Sequence, residues 1–123
     1  MFAEDWDFFI KIATRFKIHL FDKNTTYLID HAYRSMRDFD ETKWVLKRDA
    51  ITLSLKEDKI IKEKYFKKVG IVTAHMNSLI ALNFALKKMR KKSITFWILS
   101  LKQNFMELFT RRSLAIIKHL ILI

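Results

Sequence analysis

The chain has 123 residues, half of them hydrophobic, a formal charge of +11, no cysteine, no proline and a single glycine, Gly70. This length and apolar content support one compact domain with a buried core. The missing cysteines exclude a disulfide framework and a thiolate zinc site, and the scarcity of turn formers argues against all-β or low-complexity organisation.

The charge is uneven. Residues 1–63 carry 12 Lys/Arg and 12 Asp/Glu, whereas residues 64–123 carry 12 Lys/Arg against the single acid Glu107. A cationic half of this kind attracts anionic partners, whether nucleic acid or acidic lipid headgroups, through long-range fields and counterion release. Met1 leads into Glu4, Asp5 and Asp7 rather than into a basic flank and an apolar run, so no secretory signal is read and a cytosolic setting is expected. The longest uncharged stretch, residues 71–86, is shorter than the ~20 residues that span a bilayer, and no transmembrane helix is expected.

In chain order, Phe8, Phe9, Ile12 and Phe16 fall at helical spacing behind the acids at positions 4, 5 and 7. This predicts a short amphipathic helix over residues 7–16, with negative charge where the helix dipole favours it. Residues 17–21 and 25–29 alternate around Asp22-Lys23-Asn24 and read as two short strands. From Asp38 the pattern turns helical. Asp38 and Glu41 have capping-box spacing, and Trp44, Ile51 and Leu55 share a face. A second stripe runs from Ile61 through Tyr65, Val69, Val72, Met76 and Leu79 to Leu86, with a bend expected at Gly70. It ends in the basic run 87–92. Ser93 is suited to cap a further helix in which Ile94, Trp97, Leu101, Phe105 and Leu108 share a face, followed by Arg111-Arg112 and an apolar tail over 113–123. The expectation is a mainly α chain: a small α/β piece over residues 1–36, then a basic amphipathic region over 37–123 forming a bundle of three or four helices.

The segment Ala3-Glu4-Asp5-Trp6-Asp7-Phe8-Phe9, with Ile12, Phe16-Lys17-Ile18 and then Tyr27-Leu28-Ile29-Asp30-His31 and Ser35, resembles the end of the catalytic domain of family 2 glycosyltransferases. There an acidic Glu-Asp pair opens a helix, two short strands follow, and a Tyr-x-x-x-His segment comes next. The resemblance implies a remnant of the family's GT-A fold over residues 1–36. It also implies transfer of sugar from a nucleotide sugar to a glycan or lipid-linked acceptor in polysaccharide biosynthesis, with Asp5 as general base, Glu4 beside it and Trp6 at the acceptor. The same acids serve equally as first-turn charges of a helix, and Trp6 as a core side chain.

By the same resemblance His31 approaches the nucleotide diphosphate or its metal. Asp30 and Ala32-Tyr33 depart from the arginine and glycine turn frequent there. The family's nucleotide-binding half, its Asp-x-Asp motif and the divalent cation, Mg or Mn, would belong to residues preceding this sequence. No Gly-rich phosphate loop is present here, so the isolated chain is expected to be inactive. His19, His75 and His119 show no ligand spacing and read as core or surface residues.

Lys87, Lys88, Arg90, Lys91, Lys92, Arg111 and Arg112, interleaved with aromatics, suit a peripheral site on the cytoplasmic face of an anionic membrane. The same pattern also fits a bundle core with a solvated basic face, or a surface that self-associates. Nucleic acid is the less favoured anion, because no recognition helix is evident. A helical interaction module without catalysis is the remaining class.

Overall fold

A computed structural model of the chain describes residues 2–19, 22–23 and 39–122, with side chains from Asp5 onward. The chain is mainly α. Among the described residues there are six α-helices: α1 (Phe2–Arg15), α2 (Glu41–Glu57), α3 (Lys59–Lys64), α4 (Val69–Leu86), α5 (Arg90–Gln103) and α6 (Arg111–Ile121). Short 3-10 turns at Phe66–Lys68 and Phe105–Phe109 lead into α4 and α6. No strand occurs among the described residues. Of the first expected strand, residues 17–19 carry no regular structure, and the rest of it, the second strand and the 36/37 boundary fall outside the described residues.

The caps explain several helix ends. Asp40, rather than Asp38, is the N-cap of α2, its carboxylate accepting from the Lys43 amide. Asp58 both ends α2 and caps α3, accepting from the Ile60 and Ile61 amides. Thr110 caps α6 through the Ser113 amide. Each such side chain satisfies amides that the helix leaves without an internal partner.

The long stripe expected to bend at Gly70 is instead broken at Tyr65, where α3 ends and the 3-10 turn begins, while Gly70 lies inside the first turn of α4. The α4–α5 turn closes in a Schellman arrangement, with Lys88 N–H donating to Ala85 O and Met89 N–H to Phe84 O. Its left-handed position is Lys88, at φ 61°. A side chain there costs about 1 kcal/mol relative to glycine.

The core has two patches. Ile51, Leu55, Ile61, Val69 and Met76 form one, onto which Trp6 and Ile10 of α1 pack. Trp44, Ile80 and Phe84 form the other, closed by Phe39 and Phe96. The Trp44/Ile51/Leu55 face read from the sequence is therefore the buried face of α2. Lys11, hydrogen bonded to Ser54, and Arg15, paired with Asp58 at 2.7 Å, tie α1 to α2 and its C-terminal cap. Arg48, Asn77 and Gln103 form a polar chain across α2, α4 and α5.

Small residues let α4 and α5 approach closely, beside the stacked Phe84 and Phe96. Ser93 and Ser100 of α5 are fully buried, and their hydroxyls donate to Ala81 O at 2.8 Å and Ala74 O at 2.6 Å. Ser93 thus serves the helix seam instead of a cap; α5 begins at Arg90 with Met89 as an N-cap that makes no side-chain bond. Leucine at Ser100 would meet the α4 backbone. We expect Ser100→Leu to lower stability by about 2 kcal/mol through overpacking and Ser100→Ala by about 1 kcal/mol through the lost hydrogen bond. Denaturant unfolding of both variants checks the order, and a leucine variant as stable as wild type would contradict the close approach.

Candidate functional site

Asp5 and Trp6 stand in the first two turns of α1, Asp5 exposed and Trp6 half-buried. Glu4 belongs to the same turn, but its side chain lies outside the described residues, as does the whole of His31. Asp7 faces the other way: one carboxylate oxygen pairs with Lys11 at 3.1 Å and the other is buried without a hydrogen bond. Of the two described carboxylates, Asp7 is anchored and Asp5 is open to solvent.

Trp6 lies against His75 of α4, ring centroids 5.1 Å apart. The two rings help line an open, mostly apolar groove of about 330 Å³ together with Phe9, Ile10, Ile71, Val72 and Glu107. A second hollow, about 410 Å³ and more polar, lies along Lys11, Ser54 and Asp58.

At the polar end of the apolar groove is a charged cluster. Glu107, on the 3-10 turn before α6, is 5 % exposed. Its Oε1 is 3.9 Å from His75 Nδ1 and its Oε2 3.7 Å from Arg112 Nη1. Oε2 has no hydrogen bond. Arg112 instead approaches His75 Nδ1 at 2.8 Å and donates to Ser78 Oγ at 2.7 Å. Arg112 Nη2 also lies 3.3 Å from His75 Nε2; a guanidinium can only donate, so the shorter contact suits a neutral His75 with its lone pair on Nδ1. The same conclusion follows from energetics: burial first, and then the Arg112 charge, hold His75 below its ordinary value of 6.5, while Glu107 pulls the other way.

These findings redistribute the residues singled out in the sequence. Arg112 is a partly buried partner of Glu107, His75 and Ser78, not a free surface cation. Lys87 donates to Phe39 O and lies over the Phe39 ring, and Lys92 pairs with Glu41 at 2.7 Å. Lys88, Arg90, Lys91 and Arg111 are exposed. Sequence reasoning treated His75 as an ordinary core or surface residue. The one sequence signal bearing on its cluster is Glu107, the single acid of residues 64–123, but nothing local shows that it is buried or which bases it meets.

Among the described residues no three His, Cys, Asp or Glu side chains converge as they would to hold a metal ion. Comparison with family models, with curated proteins and with solved structures finds no match to this chain.

Because the His75 value is depressed on folding, the folded state stays neutral at pH values where the unfolded chain takes up a proton. The stability His75 contributes is complete above 6.5 and is lost progressively as pH falls from there through its folded value. Asp58, also held low by Arg15 and the α3 amides, loses its contribution only below 3.8. Urea midpoints should therefore fall between pH 7 and 5, and His75→Gln should flatten that fall. An unchanged slope in the variant would contradict a neutral His75.

Proposed function

We propose that this chain is the C-terminal, acceptor-side part of a family 2 glycosyltransferase. Such an enzyme transfers sugar from a nucleotide sugar to a glycan or lipid-linked acceptor at the cytoplasmic face of a membrane. The observation that carries the reading is the exposed Asp5 carboxylate opening α1, immediately before Trp6, whose indole lines an apolar groove. The ordered set of residues from Glu4 to His31 supports it from the sequence side.

In this reading the acceptor rests against Trp6. Asp5 takes the proton from the attacking hydroxyl as its oxygen bonds to the anomeric carbon, and the bond from that carbon to the nucleotide phosphate breaks. An exposed carboxylate on a rigid helix suits this task, because it can reach a bound hydroxyl without first breaking an ion pair. Lys11 holds Asp7 in a different role, anchoring the helix. In this reading donor binding falls to the family's nucleotide-sugar-binding half, and the chain without it is expected to transfer no sugar.

A second reading is a basic helical protein without catalysis that binds an anionic surface, membrane in preference to nucleic acid. Its support is the exposed set Lys88, Arg90, Lys91 and Arg111.

The two readings separate in a transfer assay on a chain extended upstream to include a nucleotide-sugar-binding half. Asp5→Asn should lower kcat by about 10²- to 10⁴-fold with the fold intact, and Asp7→Asn should act mainly on stability. Equal activity of Asp5→Asn and wild type would reduce Asp5 to a helix-end charge.

A further inference from the structure

Helix α5 turns much of its aliphatic surface outward. At its seam with α4 the buried Ser93 and Ser100 meet Ala81 and Ala74, with Phe96 stacked on Phe84 beside them, while Ile94 and Ile98 are 42 % and 45 % exposed. In water the larger apolar side chains normally take the seam and the serines face solvent. Small residues at a helix–helix contact, with branched aliphatics turned outward, are the arrangement favoured where the surroundings are lipid.

The outward residues form stripes. Ile94, Ile98 and Leu101 repeat at i, i+4 and i+7, and Leu114, Ile117 and Ile121 do so on α6 at i, i+3 and i+7. Trp97 Nε1 donates to Ser113 Oγ at 3.0 Å, joining the two helices. Trp97 adjoins Ile94 and Leu101 on its helix surface, and Ser113 adjoins Ile117 on its own, so the stripes border the same contact. Between the two helices, Phe105, Met106 and Phe109 of the 3-10 turn are 62–70 % exposed.

Cations edge this surface. Lys91 and Lys102 lie next to the α5 stripe, Arg111 and Lys118 next to that of α6, and all four are exposed. At the α4–α5 turn, Lys88 occupies the left-handed position that glycine fills without strain. A lysine at this position carries a conformational penalty that a use for its charge would offset.

We propose that the α5–α6 face, centred on Ile98, Phe105 and Phe109 and bordered by Lys88, Lys91 and Lys102, inserts flat into the headgroup boundary of an anionic phospholipid membrane. This does not depend on the transferase reading. Flat insertion follows from length: α5 has 14 residues, about 21 Å at 1.5 Å per residue, against a hydrocarbon core of about 30 Å. A perpendicular α4–α5 hairpin would also drive the 87–92 cations, at its tip, through that core. The stretch Phe66–Leu86 is long and apolar enough to span, but more than half of it is buried inside the protein, as in the core helix of a bundle.

The test is co-sedimentation of the full chain with phosphatidylcholine vesicles, with and without phosphatidylglycerol, together with analytical ultracentrifugation. The expected result is binding to the mixed vesicles at least tenfold tighter than to phosphatidylcholine alone, with Ile98→Asp abolishing it while circular dichroism is unchanged. Lys88→Gly should raise the melting temperature yet weaken vesicle binding about fivefold, a pairing that a purely structural Lys88 does not produce. The proposal is overturned if mixed vesicles are not bound, if Ile98→Asp binds as wild type does, or if Lys88→Gly leaves binding unchanged. It is equally overturned if the face is covered by a second copy, seen as a dimer that Ile98→Asp dissociates and that does not take up vesicles.

Discussion

The contact on which most of the molecule depends is the close approach of α4 and α5. Two serines spaced seven residues apart meet two alanines with the same spacing, about two helical turns, and each serine hydroxyl donates to an α4 carbonyl. Larger side chains would separate the helices. With small residues at the seam α4 and α5 approach closely, while Met76 joins one core patch and Ile80 and Phe84 the other, Phe84 also stacking on Phe96 of α5. The aliphatic side chains of α5 are turned away from the seam. One packing decision therefore sets both the buried core and the exposed apolar face.

That decision also marks the limit of what the sequence made legible. The Trp44/Ile51/Leu55 periodicity on α2 led directly to a buried face, because nothing smaller competes for that side of the helix. The Ile94/Trp97/Leu101 periodicity was equally regular, and Trp97 and Leu101 are only half-buried while Ile94 is exposed. Periodicity identifies a stripe without saying what the stripe meets; that depends on which residues of the partner helix allow contact, here Ala74 and Ala81. Helix ends show a similar ambiguity. Asp38 and Asp40 both lie where a cap would serve, and the cap belongs to Asp40 because α2 starts at Glu41. Gly70 drew attention as the only glycine, yet the break comes at Tyr65, between Ile61 and Val69 of one core patch.

The groove between α1 and α4 joins the two halves of the chain through Trp6 and His75. Asp5 and Trp6 were readable as a pair, since adjacent acids before an aromatic helix are a local pattern. The Glu107/His75/Arg112 cluster was not, because its members come from α4, the 3-10 turn and α6 and meet only after folding. A nearly buried carboxylate without a hydrogen bond on Oε2 is unfavourable unless nearby positive charge compensates, and Arg112 supplies that compensation while its hydrogen bonds go to His75 and Ser78. The cluster fixes α6 against α4. It thereby sets the position of the basic, apolar-faced end of the molecule relative to the acidic opening of α1, so the proposed acceptor groove and the proposed membrane face are held by one framework.

Since the chain has no cysteine of its own, single cysteines introduced along residues 93–101 report the orientation of α5 directly. The measurement is the rate of maleimide reaction at each position, in solution and with anionic vesicles present. An α5 with these aliphatics turned outward predicts fast reaction in solution at Ile94→Cys and Ile98→Cys, slow reaction at Ser93→Cys and Ser100→Cys, and selective protection of the first pair when vesicles are added. The opposite phase, with the isoleucine positions protected in solution and the serine positions reactive, would contradict the seam and everything built on it.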